Sequence, residues 1–210
     1  CLYSSSQKSI EDLKQIVNKM PDDEIKNILN KYTGVRKNRR HKPGRAFENS
    51  YYTFDILSDY GSFRDLQRHR LMTIEWQKMN PELGFNFPDE VKKTPYEKEC
   101  KELITRSKEL YEKFEISSPH LKEYALLFGH NIRYSITMNV RQAFHLIELR
   151  TAKQGHISYR KVCMKMHDQI KDIAGHSNFY ELMNFTDHEE YELQRLDSEV
   201  KQAKKKENFN

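Results

Sequence analysis

The chain has 210 residues, 37% hydrophobic and 32% charged, which fits one domain of ordinary size or one with appendages. Twelve Tyr and eleven Phe supply a core that a disordered chain lacks, and the three Cys are too scattered for a disulfide framework or a Cys-based zinc site. A net charge of +5 suits anionic small ligands as well as nucleic acid and does not choose between them.

Taken in chain order, residues 9–31 predict two short helices. Ser9 is placed to cap the first, "IEDLKQIVNKM", and Pro21-Asp22-Asp23 opens the second with acids in its first turn. "VRKNRRHKPGR" (35–45) is a basic loop punctuated by Pro and Gly, and "YYTFDIL" (51–57) is aromatic and β-branched enough for a strand. "GSFRDLQRHR" predicts a turn into a helix that carries Arg68-His69-Arg70. "LMTIEWQ" is a second strand or a frayed helix end, and "NPELGFNFP" (80–88) is a loop. Residues 96–114 carry apolar or small side chains at 96, 100, 103, 107, 110 and 114, one stripe of a helix. A short helix is expected after Pro119, a strand at "IRYSITM" (132–138), and helices at 139–152 and 158–175. The tail "LDSEVKQAKKKENFN" is charged and expected to fray. No run of apolar residues approaches membrane-spanning length and no signal peptide is visible, which points to a cytoplasmic protein. A first residue of Cys rather than Met fits the C-terminal part of a longer polypeptide.

Three features offer chemistry. On helix 139–152, Val140, Ala143, Phe144 and Ile147 share a face, while Arg141, His145 and Glu148 share another. Arg150 falls between the directions of Ala143 and Leu146, where a guanidinium needs a carboxylate, a ligand oxygen, or a way out at the helix end. Arg68-His69-Arg70 is either a basic surface patch or a phosphate site, because arginine forks match phosphate oxygens. The loop 35–45 is either solvated or in contact with a nucleotide's phosphates. The nine His form no compact metal motif, so no metal is expected, and no phosphate-binding loop or GxGxxG occurs. Cys100 and Cys163 fall within helices, where inert thiols are the usual occupants.

Two stretches, "AFENSYYTFDILSDYGSFRDLQRHR" (46–70) and "TMNVRQAFHLIELRTAKQGH" (137–156), together resemble the flavin-dependent thymidylate synthase (ThyX) family. The first is similar to that family's Phe-Glu, aromatic strand and short helix ending in Arg-His-Arg. The second is similar to its Asn-x-Arg, an Asn or His four residues later, and Leu-Arg. The resemblance implies an α/β (α+β) fold with helices around an antiparallel β-sheet. It implies FAD as cofactor, held by Glu48, Arg68, His69, Arg70, Asn139, Arg141 and His145. Arg150 is implied as the catalytic residue that helps activate the pyrimidine, with Arg68, Lys78 and Arg150 on the substrate. The implied reaction is reductive methylation of dUMP with methylenetetrahydrofolate and NADPH, and the implied assembly is a homo-oligomer, as a tetramer or a dimer of tandem chains. Residues 35–185 then form the ThyX-like domain, after an N-terminal helical segment (1–34) and before a charged tail (186–210).

The departures from the family pattern are local. After the triplet, the expected Ser becomes Thr73, the substrate-facing Glu becomes Trp76, a second Ser becomes Lys78, and a phosphate-binding Arg becomes Asn80. A second phosphate Arg has only Glu123 or Tyr124 in its region, and a Gln before the triplet becomes Asp65. Lys78, Arg133 or the loop arginines Arg39, Arg40 and Arg45 are placed to compensate. The alternatives are a catalytically degenerate flavin-binding or structural domain of a tandem protein, and a basic nucleic-acid-binding domain.

Overall fold

The computed structural model describes residues 1–92, 94–191, 199–200 and 204. Most of the charged tail expected to fray therefore lies outside the described residues. The described fold has seven α-helices and a three-stranded antiparallel sheet, an α/β arrangement as expected. The chain divides into two compact units, residues 1–52 with 138–210, and residues 53–137.

The second unit is built on the sheet, in the order β1-β3-β2, from β1 (Tyr51–Asp59), β2 (Thr73–Trp76) and β3 (Asn131–Asn139). Buried and open residues alternate along β3, with Ile132, Tyr134 and Ile136 inward, as a strand with one covered face requires. β2 pairs antiparallel with β3, Thr73 opposite Thr137 and Trp76 opposite Tyr134, which settles "LMTIEWQ" as a strand. The open face carries polar cross-strand pairs: Thr53 and Thr137 hydroxyls are 2.9 Å apart, and Arg133 donates to Asp55 at 2.7 Å. Arg133, a candidate to replace a lost phosphate arginine, is thus held by a carboxylate.

Helix α3 (Tyr60–Leu66) starts at Asp59, whose carboxylate accepts from the Ser62 N–H at 2.8 Å. It ends before the basic triplet, which lies in the turn that follows; the expectation that the helix carries the triplet is corrected. Leu66 is fully buried and Phe63 packs edge-on against Tyr134, so the helix spends its last turn on the core and the arginines come after it. The loop 80–88 contains a short 3-10 turn at Pro81–Leu83, and residues after Pro119 form another at Lys122–Ala125 rather than an α-helix.

Helix α4 (Glu97–Ser117) forms where expected, but its covered face is rotated from the expected stripe. Ser107 and Tyr111 are its buried residues; Ser107 donates to the Ala125 carbonyl at 2.6 Å. Leu103 and Leu110 remain 53% and 43% exposed. Ser107 belongs to the expected stripe, but Tyr111 does not; the covered face passes through 107 and 111 rather than 103 and 110.

In the first unit, Ser9 caps α1 (Ile10–Val17) through a capping box with Asp12, as expected. Helix α2 (Asp22–Thr33) follows Pro21 with three acids in its first turn, and Gly34 ends it at φ +67°, a conformation that favours glycine. Helix α5 (Val140–Arg150) buries Val140, Ala143, Phe144, Leu146 and Ile147, and α6 (Ile157–Asp172) buries Cys163, Met166 and Ile170. Helix α7 (Ser177–Leu182) was not anticipated; its six residues are too short for a periodic signal. Among the described residues, no helix is long and apolar enough to cross a membrane.

Candidate functional site

The first unit gathers most of the residues singled out from the sequence on and around α5. Asn139 is its N-cap: the side-chain oxygen accepts from the Gln142 N–H at 2.8 Å. Two residues on, Arg141 leaves the helix surface and donates to the Pro43 carbonyl at 2.8 Å and to Glu48 at 3.0 Å. Arg45 adds a second, exposed contact to Glu48 at 3.2 Å. These two guanidinium groups, Arg45 first, hold the Glu48 carboxyl below its ordinary range. Glu48 and Arg141, assigned separately to one cofactor, are therefore partners of each other, and together they tie the basic loop to α5.

His145 lies one turn further along and is half-buried. Burial lowers its pKa from the usual 6.5, and the positive charges of Lys42, Arg39 and Arg150 lower it further. Three cationic side chains thus bear electrostatically on this imidazole, a charge balance that suits an anion. Arg39 and Lys42 come from the loop, and Arg150 from the last residue of the helix.

Arg150 is half-buried rather than sunk in the apolar face. Its guanidinium lies 5.2 Å from the centre of the Tyr159 ring on α6, a cation–π distance. The position at the end of α5 lets the side chain run past the last turn, so helical phase alone overstated its burial. Cys163 sits within reach of the Arg150 charge but is fully buried, and burial dominates, pushing its thiol up to about 12. That thiol is inert at neutral pH, in line with the sequence expectation.

The deeply buried charges are others. Glu148, grouped by helical phase with the polar face, is 1% exposed and accepts both guanidinium nitrogens of Arg36, one at 2.7 Å. Arg36 also donates to the His41 carbonyl at 2.6 Å and lies over the Phe144 and Phe185 rings. Arg160, buried on α6, donates to the Thr151 and Glu189 carbonyls at 2.7 and 2.8 Å. The "polar face" of α5 is thus covered by the loop, and the loop is not simply solvated. The signal that could have exposed this was the pairing of a lone acid on α5 with an unusually basic loop. Tyr159 had no sequence signal at all.

The second unit holds the rest. Arg68 and Arg70 are exposed, with His69 half-buried between them. Asp65, which stands in place of the expected Gln, approaches Arg68 to 3.9 Å. The Gln67 side-chain oxygen is buried with no hydrogen-bond partner. Lys78 is exposed. Asn80 caps the 3-10 turn at Pro81–Leu83, accepting from Glu82 N–H at 2.9 Å, and Glu123 accepts from the Met79 N–H at 3.1 Å. Trp76 packs against Phe63, ring centres 5.5 Å apart. Among the positions that depart from the family pattern, Asp65, Trp76, Asn80 and Glu123 thus have local structural partners.

Comparison with known proteins bears on this arrangement. The family model described as thymidylate synthase complementing protein matches residues 1–175. A UPF0159 protein of Chlamydia pneumoniae is 35% identical over 201 residues, covering 95% of this chain and 37% of that protein. A UPF0159 protein of Thermoplasma acidophilum is 32% identical over 196 residues, 91% of this chain and 39% of its own length. A flavin-dependent thymidylate synthase of Thermococcus onnurineus is 32% identical over 117 residues, half of this chain and 47% of that one. The chain thus spans under two fifths of the length of the two UPF0159 relatives. With the family model matched along most of its residues, this chain belongs to the thymidylate synthase complementing protein family.

Proposed function

We propose that the chain binds FAD and acts in the reductive methylation of dUMP or a related uridine nucleotide, with methylenetetrahydrofolate and NADPH as co-substrates. The observation that carries this reading is the charge around His145: Arg39, Lys42 and Arg150 all bear on one half-buried imidazole. Such a set of donors fits a ligand with several phosphate charges. In the second unit, Arg68 and Arg70 add exposed guanidinium groups beside the apolar Leu71, which is 70% exposed and offers contact to an aromatic ring.

In this reading Arg39, Lys42, His145 and Arg150 in the first unit bind phosphate groups, and so do Arg68, His69 and Arg70 in the second. Glu48, Arg141 and Asn139 act differently. Asn139 fixes the start of α5, and the Glu48–Arg141 pair fixes the loop that presents Arg39 and Lys42. Arg150, stacked on Tyr159, presents a planar fork to the pyrimidine. A reduced flavin held by these residues would supply the redox and one-carbon transfer chemistry, so the chain would need no nucleophilic side chain. The inert Cys163 is consistent with that.

A second reading has its own support. In it, this is a degenerate half of a tandem protein that keeps flavin and has lost the dUMP phosphate contacts. Asn80 and Glu123 stand where phosphate arginines are expected and are engaged with backbone N–H groups, and Arg68 has an acid beside it. Two lost charge-assisted contacts, at about 1.5–3 kcal/mol each, remove on the order of a hundredfold or more in nucleotide affinity. The UPF0159 relatives, well over twice as long, leave room for a second domain.

Purified protein is expected to be yellow with bound FAD. Arg68→Ala with Arg70→Ala should remove the colour while circular dichroism stays unchanged; unaltered flavin content in that double variant refutes the cofactor assignment. Calorimetric titration with dUMP and a dUMP-dependent NADPH oxidation assay then separate the two readings. A micromolar or tighter site with turnover favours the enzyme, and flavin without either favours the degenerate half. A colourless protein refutes both.

A further inference from the structure

Outside the basic cluster, the first unit brings a distant histidine to an adjacent His-Asp pair. His167 and Asp168 are neighbours on α6, and His188 follows α7. Nδ1 of His167 lies 2.8 Å from Nε2 of His188, and Nδ1 of His188 lies 3.9 Å from an Asp168 oxygen. One candidate ligand atom from each of the three residues can be chosen so that all lie within 4.8 Å of one another.

The orientation of His167 is fixed from behind. Its Nε2 lies 3.0 Å from the Tyr180 carbonyl, which can only accept, so Nε2 carries the proton and Nδ1 carries the lone pair. The ring is 3% exposed and stacked on Tyr180, with centres 4.0 Å apart and planes 14° from parallel. A buried imidazole that gives its distal N–H to a carbonyl, and aims the other nitrogen at a second imidazole with a carboxylate close by, is built as a metal ligand is.

We propose that His167 Nδ1, His188 Nε2 and an Asp168 carboxylate oxygen form a binding site for a divalent transition-metal ion of the zinc type. Two imidazoles and one carboxylate suit Zn²⁺ over Mg²⁺ or Ca²⁺, which take oxygen ligands. The side chains of His188 and Asp168 are 37% and 47% exposed, so an ion enters from solvent and water fills the fourth position. Tetrahedral Zn–N bonds place the two nitrogens about 3.3 Å apart, so the pair must open by roughly half an ångström. The exposed His188 supplies that movement while the His167 ring stays seated. On binding, the Nε2 proton of His188 shifts to its Nδ1, and the histidine stays neutral. The three ligands then leave the site with a net single positive charge.

The test is calorimetric titration of the full chain with ZnCl2, followed by Co²⁺ absorption spectroscopy. The expected result is one saturable Zn²⁺ site at micromolar or tighter affinity, with the visible bands of four-coordinate Co²⁺. Mg²⁺ should give no saturable heat. Because nine His are present, the assignment rests on variants. His188→Ala and Asp168→Asn change exposed side chains and should keep the fold. Each should weaken Zn²⁺ by about tenfold to a hundredfold or more, in line with the cost of disturbing a metal site, and abolish the Co²⁺ bands. No saturable site, or Zn²⁺ affinity unchanged in both variants, overturns the proposal and leaves His167–His188 as a hydrogen bond that closes α6 on the segment after α7.

Discussion

Arg36 illustrates how much one side chain carries. Its buried guanidinium meets Glu148 out of water, and also two backbone carbonyls and two aromatic rings. Removing one member of such a pair strands the other charge in a dry site, so Arg36→Ala should lower unfolding free energy by about 3–5 kcal/mol in urea titrations. The double variant Arg36→Met with Glu148→Met should recover most of that loss. If the single variant costs no more than an ordinary surface change, the pair is not desolvated as described. His145 gives a prediction in pH. Burial and the charges of Lys42, Arg39 and Arg150 depress its pKa, so it is neutral in the fold. Its contribution to stability is full above the unfolded value near 6.5 and is lost as pH falls through the folded value. An anion bound among these cations reverses the bias. Adding inorganic pyrophosphate should therefore raise the His145 pKa seen by proton NMR, and pyrophosphate should bind more tightly at pH 6 than at pH 8. An unmoved His145 titration contradicts an anion site there.

At the scale of elements, α4 separates a helix's formation from the choice of the face it buries. Its sequence period produces a long helix, yet the covered direction passes through Ser107 and Tyr111, leaving Leu103 and Leu110 open. We propose that the homo-oligomer implied by the family resemblance uses those leucines as contact surface for a second copy. Leu103→Glu with Leu110→Glu should leave the stability of the monomer within about 0.5 kcal/mol per site, because neither side chain is buried. The same variant should lower the mass seen by sedimentation equilibrium. Wild-type protein that is already monomeric contradicts the assignment of this face. Elsewhere the local signals were sufficient. The Ser9 cap, the β-branched and aromatic run of β1 and the acidic start of α2 are written in nearest neighbours.

Across the whole molecule, the sequence by itself determined the elements that depend on short-range physics, the α/β class, and, through two motif stretches, the family. It also singled out α5 as the helix with most of the candidate site residues, because an Arg at an apolar phase is visible in helical periodicity, whereas the N-cap role of Asn139 came only with the structure. Tertiary structure alone decided which charges are buried. Helical phase separates the faces of α5, but it cannot say that a loop more than a hundred residues earlier in sequence covers the polar one. Hence Glu148 and Arg36 became the buried pair, Arg150 extended past the helix end onto Tyr159, and His145 came under the charges of Arg39 and Lys42. The meeting of His167 with His188 is of the same kind: twenty-one residues apart with an unanticipated helix between them, they form no motif in the sequence. Periodicity records how a segment divides its own surface. The partner that covers each face depends on long-range packing, and desolvation makes that choice decisive for charged side chains.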